Sequence, residues 1–190
     1  MGLIAETYKD IRGYRHQETW KFYPATGAVL DLLYPPKMEW IDQAYLDEGT
    51  RCHADMKSAC DWFIANGEWP TSSNHRVRAL IKCLQDHELK PLEAEVTRCS
   101  DVYGHAGTPD AFLGDGYATV LPDWKFAESL DERYQDQIQS YQAFFPSAIP
   151  RLMLFRVDRD GNVFPRKVQR NQKQWTLFLN ALACLKFRLR

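Results

Sequence analysis

The chain has 190 residues, 45% of them hydrophobic and 13% aromatic, a length and composition that suit one folded domain and exclude a disordered chain. Its formal net charge is −1, which excludes a bulk electrostatic attraction to nucleic acid. The charge is unevenly distributed, because the last 40 residues hold 10 Lys and Arg against 2 Asp and Glu. This basic segment either meets phosphate groups or forms a solvated face that balances the acidic remainder.

Cysteine usage and hydropathy indicate the compartment. The five cysteines are an odd number and form no C-x-x-C pair, which argues against a disulfide framework. The start of the chain shows no signal-peptide core, and no run of about 20 apolar residues would span a bilayer. We therefore expect a reduced, cytoplasmic protein without a membrane segment.

The first 90 residues are predicted to be mostly helical. Residues 1–22 show little periodicity and are expected to form an irregular arm, or a short strand or helix. An apolar run, Ala28–Tyr34, ends at a Pro-Pro pair. Apolar residues then recur at spacings of three and four over Lys37–Asn66 and again over His75–His87, which predicts two helices.

The histidines on these helices differ in the role that the sequence predicts for them. His75 and His87 have no partner at metal-ligand spacing and are expected at the surface. His53 lies on the longer helix, directly after Gly49-Thr50-Arg51-Cys52. A single histidine on a helix is, by itself, typical of a surface position or of a hydrogen-bonded core position.

The middle of the chain predicts a small sheet. Lys90–Ser100 has the alternation of a strand, with Glu93 and Glu95 on one face. We expect both glutamates to face solvent, with a contribution of either to a site as the alternative. His105 is expected to be an ordinary turn histidine, with a position near a phosphate path as its alternative.

Gly114-Asp115-Gly116 indicates a tight turn between two strand-like runs, the first ending near Asp110 and the second spanning Tyr117–Phe126. Asp123 and Lys125 lie on one face of the second run, because residues alternate along a strand. A hairpin would bring Asp110 to the same end of the sheet. Two carboxylates beside a lysine suit a divalent metal and phosphodiester hydrolysis. The alternative is an ion pair on an edge strand.

The remaining pattern completes an α/β order. Asp131–Phe145 has helical spacing, Arg151–Val157 and Val163–Val168 read as a strand hairpin, and Gln172–Leu189 predicts a closing helix. The D-x-D-G fragment at Asp158–Gly161 lacks the later glutamate of a calcium loop and is interpreted as the hairpin turn.

Four motifs in order resemble those of RecB-like nucleases, which belong to the PD-(D/E)XK superfamily. They are G-T-x-x-H ending at His53, G-x-x-D at Gly107 and Asp110, D-x-K at Asp123 and Lys125, and Q-x-x-x-Y at Gln137 and Tyr141. The resemblance implies an α/β fold with a restriction-endonuclease-like core of order αβββαβ. In that fold a mixed central sheet is flanked by helices and preceded by a helical N-terminal part. It also implies a single nuclease domain over residues 1–190, with the helical part at 1–90 and the catalytic sheet and helices at 91–190.

The resemblance further implies a metal site. Asp110 and Asp123 would bind Mg²⁺ or Mn²⁺, with His53 and the carbonyl of Trp124 completing the ligand sphere. Lys125 would position the attacking water and offset charge in the transition state. Some relatives hold an iron–sulfur cluster on one upstream and three clustered downstream cysteines. Here only one cysteine lies downstream of the motifs, so no iron–sulfur cluster is expected.

Gln137 and Tyr141 would, by the same resemblance, brace the site or guide the DNA strand. A small free-standing chain of this group resembles phage-type exonucleases of recombination, repair or phage DNA processing. The expected substrate is DNA with linear ends, including single-stranded DNA, and a recombination partner protein fits the same picture. The alternatives are an endonuclease that uses the same residues, a non-catalytic DNA-binding or assembly protein on a nuclease fold, and an α/β protein whose D-x-K is an ion pair.

Overall fold

The computed structural model describes residues 2–35, 43–145 and 150–190. The chain begins with a small antiparallel sheet and continues into three helices before the central sheet. These first elements are β1 Leu3–Tyr8, β2 Ile11–His16, β3 Phe22–Pro24, α1 Thr26–Leu33, α2 Gln43–Asn66 and α3 His75–Asp86.

Two strands, β1 and β2, occupy most of residues 3–16, where the sequence predicted an irregular arm or a short strand or helix. β1 pairs with β2 and β2 with β3, both antiparallel. The β1–β2 turn places Lys9 and Asp10 at φ values of 48° and 61°, a backbone that matches the twist of the flanking strands but usually selects Asn or Gly. Because these turn residues are atypical, the hairpin carries little local signal.

Helix boundaries follow recognisable end signals. Gly67 adopts φ 78° just after α2, and its amide donates to the carbonyl of Phe63 at 2.8 Å. Asn74 caps α3 by accepting hydrogen bonds from the amides of Arg76 and Val77. The predicted start of α2 at Lys37 lies outside the described residues.

Five strands form the central sheet, in the spatial order β10–β9–β8–β7–β4. β8 and β9 are parallel and the other neighbours are antiparallel, so the sheet is mixed, as predicted. The crossover between β8 and β9 contains α4, and the order α3–β4–β7–β8–α4–β9 gives the αβββαβ pattern. The bounds are β4 Lys90–Ala94, β7 Ala111–Gly114, β8 Thr119–Lys125, α4 Glu132–Tyr141, β9 Arg151–Val157, β10 Val163–Val168 and α5 Gln172–Leu189.

The predicted strand Lys90–Ser100 is wrong in extent. β4 ends at Ala94, and Arg98–Ser100 forms a separate strand, β5, which pairs with β6, His105–Gly107. A register shift between Pro91 and Glu93 turns Leu92 outward, where it is 51% exposed although the alternation predicts an inward position. A bulge of this kind shifts side chains between faces without a marked change in composition.

The C-terminal elements match the prediction closely. β9, β10 and α5 have the predicted bounds, and a turn separates β9 from β10 where the D-x-D-G fragment lies. The helix predicted over Asp131–Phe145 is shorter, because α4 ends at Tyr141 and a 3₁₀ turn follows at Gln142–Phe144. Asp131 caps α4 by accepting from the amide of Arg133.

Helices cover both faces of the central sheet. Trp124 and Phe155 pack in a cluster with apolar residues of α2 and α3, whereas Leu121 and Leu154 pack with Ile138 of α4 on the other face. A third cluster joins α1 and α5 to the N-terminal sheet. Within the described ranges, none of the helices combines the length and apolar character needed to cross a membrane.

Candidate active site

The candidate site lies where β7 and β8 separate. These strands pair only at Leu113–Val120 and Gly114–Thr119. Asp110 stands in the loop just before β7, one residue from the strand, and its Oδ2 accepts a hydrogen bond of 2.8 Å from the amide of Trp124. In the gap between the two strands, the Asp110 carboxylate therefore accepts a hydrogen bond from a backbone amide of β8. This contact places Asp110 close to Asp123, the residue before Trp124.

Asp123 and Lys125 share a face of β8, as the strand alternation predicts. The Lys125 Nζ donates to Oδ1 of Asp123 at 2.9 Å and lies 2.8 Å from Oδ2. Trp124, between them, points to the opposite side and is buried in the cluster with α2 and α3. The D-x-K pair therefore sits on an interior strand of the sheet, not on an edge.

Burial and charge act in opposite directions on this pair. Burial raises the pKa of Asp123, an effect that Lys125 opposes and Asp110 adds to. Burial alone would lower the pKa of Lys125, but the charges of Asp123 and Asp110 raise it above its ordinary value. Lys125 is therefore an ammonium at neutral pH, suited to stabilising negative charge and not to accepting a proton.

His53 reaches the same site from α2. Its Nδ1 lies 3.6 Å from Oδ1 of Asp110, and its ring packs edge-on against Phe126 at 5.4 Å between centroids. Burial opposes protonation of His53, but the nearby carboxylate of Asp110 raises its pKa. Burial would likewise raise the pKa of Asp110, whereas His53 lowers it below its ordinary value.

The other half of G-T-x-x-H does not reach the site. The Thr50 hydroxyl donates to the carbonyl of Leu46 within α2, and the Cα of Gly49 faces open space. The structure therefore brings only the histidine of this motif to the acids.

Gln137 and Tyr141 connect the D-x-K pair to α4. Lys125 donates to the Gln137 Oε1 at 3.5 Å, and the Gln137 Nε2 donates to the Tyr141 hydroxyl at 2.9 Å. Burial raises the pKa of Tyr141, so its hydroxyl stays neutral. A chain of polar contacts thus runs from Asp123 through Lys125 and Gln137 to Tyr141.

Gly107 leaves room for Tyr141, the last residue in this series of polar contacts. A Cβ atom at this position would lie 2.7 Å from Cε1 of Tyr141 and 2.9 Å from Oγ1 of Thr26. The glycine of G-x-x-D therefore has a steric role, because it lets the strand β6 approach the Tyr141 ring.

Glu95 is placed differently from the prediction that it faces solvent beside Glu93. It follows the end of β4 at φ 47°, and its amide donates to the carbonyl of Asp110 at 3.0 Å. Its side chain is half-buried, and burial followed by the charge of Asp110 raises its pKa. Glu93 instead pairs with Arg98. The two glutamates differ because β4 ends at Ala94, between them, and Glu95 adopts a left-handed backbone.

His105 is not a turn histidine, and that prediction is wrong. It lies in β6 and is fully buried, with its ring 5.0 Å from that of Phe144 and 5.2 Å from that of Phe178. Its Nε2 is 3.3 Å from the carbonyl of Ser140, which assigns the proton to Nε2. Burial lowers the pKa of His105 to about 4, so it is a neutral core residue. His75 and His87, by contrast, are exposed, as predicted.

Arg76 is a residue near the site that the sequence did not indicate. It is fully buried at the start of α3, donates to the carbonyl of Val157 and lies 3.4 Å from a carboxylate oxygen of Glu48. Its guanidinium also stacks on Phe126 at 5.3 Å from the ring centroid. Phe126 in turn contacts His53, so Arg76 supports that wall of the site from behind.

Part of the basic C-terminal segment balances acids elsewhere in the chain. Arg151 pairs with Asp115, and Arg159 pairs with Glu128. On α5, Lys186 donates to the carbonyl of Tyr103. These residues fit the interpretation of a charge-balancing face, whereas other basic residues of this segment, such as Arg166 and Lys167, are exposed.

The candidate ligand side chains are not arranged as a complete metal-binding set among the described residues. In the described ranges, no three His, Cys, Asp or Glu side chains are grouped so that they could hold a metal ion together. Asp110 lies beside the His53 imidazole, and both carboxylate oxygens of Asp123 lie beside the Lys125 ammonium. Among the same residues, the buried Oδ2 of Asp123 accepts no hydrogen bond despite its proximity to Lys125.

Comparison with known proteins identifies the fold. No family model matches the chain, and no curated protein does. The structure of an alkaline exonuclease (LHK-Exo) from Laribacter hongkongensis gives a TM-score of 0.54 at 12% identity, covering 88% of this chain and 87% of that one. LHK-Exo in complex with dAMP gives 0.48 at 14% identity over 85% and 75% of the two chains. The structure of SSO0001 gives 0.41 at 16% identity over 87% and 84%. The first of these likenesses shows that the chain has the fold of an exonuclease.

Proposed function

We propose that this protein is a metal-dependent deoxyribonuclease of the RecB-like type within the PD-(D/E)XK superfamily, and that it acts as an exonuclease. The observation that carries the proposal is the convergence of Asp110, Asp123 and Lys125 at the gap between β7 and β8. The fold shared with an exonuclease and the order of the four motifs support the same conclusion.

Oxygen donors of this kind suit a hard divalent cation, Mg²⁺ or Mn²⁺, although the described side chains do not by themselves group into a three-ligand metal site. The donors would be carboxylate oxygens of Asp110 and Asp123, the imidazole of His53 and the carbonyl of Trp124. Among the described residues the buried Oδ2 of Asp123 makes no hydrogen bond of good geometry, but it lies 2.8 Å from the Lys125 ammonium, so a bound cation would share this oxygen with the lysine. When bound, the ion would polarise the phosphate and lower the pKa of an attacking water.

Lys125 would stabilise charge in the transition state. Its raised pKa keeps it an ammonium, and a fixed cation in a buried site stabilises developing phosphate charge without reorganisation. Lys125 would also orient the attacking water by a hydrogen bond. An ammonium group has three N–H donors and no acceptor, so Lys125 can hold the water in place but cannot take a proton from it.

Gln137 and Tyr141 would hold Lys125 in place. The Gln137 side chain contacts the lysine with its oxygen and the Tyr141 hydroxyl with its nitrogen, so its orientation is determined at both ends. His53 would contribute through its contact with Asp110, which orients that carboxylate towards the gap.

Digestion of end-labelled linear DNA and closed-circular DNA, single- and double-stranded, tests the proposal. Each substrate is incubated with Mg²⁺, Mn²⁺ or EDTA. We expect metal-dependent loss of linear DNA only, reduced at least about 100-fold in Asp123→Ala and in Lys125→Ala. The matched controls Lys82→Ala and Asp86→Ala remove an exposed ion pair on α3 and should keep full activity.

Other outcomes assign other functions. Cleavage of circles that requires Asp123 and Lys125 would establish an endonuclease at this site. Activity that survives both substitutions contradicts the proposed site. A protein that binds DNA without cleaving it under any metal condition would be a DNA-binding or assembly protein on a nuclease fold.

A further inference from the structure

The ammonium of Lys125 has a third neighbour that none of the four motifs includes. Besides Asp123 and Gln137, the ring of Tyr134 lies against it, with Nζ 4.8 Å from the ring centroid. A lysine ammonium has three N–H donors. A carboxylate, an amide oxygen and an aromatic face therefore surround the cation on three sides.

Tyr134 is held in this place by the start of α4. Its amide donates to the carbonyl of Asp131, the capping residue, at 3.1 Å. Its ring packs against the apolar cluster that contains Leu121 and Ile138. Because helix capping and packing determine its position, the ring does not depend on Lys125 for its orientation.

We propose that Tyr134 is a positioning residue for Lys125, an inference that rests on the proposed nuclease function and deepens it. The face of an aromatic ring attracts a cation, most strongly where water is excluded. Lys125 has a flexible four-carbon stem, so its two polar contacts leave it free to swing away from the gap. The Tyr134 ring occupies the space into which the lysine would swing, and so keeps the ammonium beside Asp123.

A matched pair of substitutions separates the ring from its hydroxyl. Tyr134→Phe keeps the aromatic face, and in the described part of the chain no hydrogen bond to the Tyr134 hydroxyl is seen. Tyr134→Leu removes the face and keeps an apolar side chain. We expect kcat on linear DNA to fall about three- to thirtyfold in Tyr134→Leu, with KM within about twofold, and to return to the parent value in Tyr134→Phe. An unchanged kcat in Tyr134→Leu, or an equal loss in both variants, overturns the proposal.

A second measurement needs no nuclease activity. Urea unfolding of the parent, Tyr134→Leu, Lys125→Met and the double variant, all in EDTA, forms a double-mutant cycle. The combined effect of the two substitutions on the unfolding equilibrium constant should differ from the product of their separate effects by about three- to thirtyfold. A cycle with Tyr134→Phe in place of Tyr134→Leu should show none.

The two measurements distinguish the failure of the inference from that of the proposed function. An inactive parent with a coupled Tyr134–Lys125 pair would contradict the nuclease and leave the positioning contact standing. An active parent without coupling would retain the nuclease and overturn the role of Tyr134.

Discussion

His105 should make the free energy of unfolding depend on pH. Burial lowers its pKa in the folded protein to about 4, against an ordinary value of 6.5 in the unfolded chain. Between these values the unfolded chain binds the proton more readily, so stability falls as the pH drops from about 6.5 towards 4 and changes no further below that. Above pH 6.5 the histidine is neutral in both states and has no effect on this dependence.

The magnitude follows from the difference between the two pKa values. A gap of about 2.5 units at about 1.36 kcal/mol per unit gives a loss of about 3 kcal/mol over the full range. That is a large fraction of the 5–15 kcal/mol by which domains are usually stable. Ser140 does not cancel it, because its carbonyl accepts a hydrogen bond from the neutral ring as well as from the charged one.

His105→Phe is the perturbation that isolates this term. Phenylalanine keeps an aromatic ring against Phe144 and Phe178 and has no titrating group. Urea unfolding in EDTA, followed by the combined fluorescence of the six tryptophans, would be measured from pH 7.5 to 4.5. The carboxylates titrate alike in both proteins, so the difference in pH dependence between parent and variant reports His105.

The expected difference is a shallower loss of stability in the variant, by about 2.5 kcal/mol between pH 7.5 and pH 4.5. His87→Gln, a change at an exposed histidine on the end of α3, serves as the control and should behave like the parent. A His105→Phe protein with the same pH dependence as the parent would show that His105 is not held neutral by burial.

Three further substitutions test the packing around the site by urea unfolding. Gly107→Ala places a methyl group 2.7 Å from the Tyr141 ring and should cost about 1–3 kcal/mol; an unchanged stability would refute the steric role of the glycine. Asn74→Ala removes the cap of α3 and should cost about 1 kcal/mol, with Asn74→Ser restoring most of it, and a serine variant as unstable as the alanine one would argue against capping. Arg76→Ala leaves the Val157 carbonyl and the partly buried Glu48 without their partner and should cost about 3 kcal/mol, whereas a loss below about 1 kcal/mol would contradict the role of Arg76.

Local patterns predicted the elements whose type and bounds are set by short-range spacing and turns. The β9–β10 hairpin and α5 have the predicted bounds, because alternation, a tight turn and helical spacing are all read within a few residues. The shared face of Asp123 and Lys125 follows from strand geometry alone. The contact of Gln137 with Tyr141 likewise follows from their spacing of four on a helix.

Long-range packing decided what the local patterns could not. His105 looks like a turn residue in sequence, yet the carbonyl it contacts lies 35 residues later, and the Val157 carbonyl bound by Arg76 lies 81 residues later. Glu95 leaves the strand pattern where β4 ends, and its amide bonds the carbonyl of Asp110, 15 residues later. The carbonyl groups that His105 and Arg76 contact therefore cannot be identified from a short window of sequence.

The amino-acid sequence by itself therefore determined which chemical groups are available and which strand and helix faces carry them. Only the tertiary structure decided that they meet. Asp110 reaches Asp123 because β7 leaves β8 after two residue pairs, and His53 joins them because α2 packs across that end of the sheet. The physical reason is that side-chain direction is set by local backbone geometry, whereas convergence is set by where strands separate and helices pack.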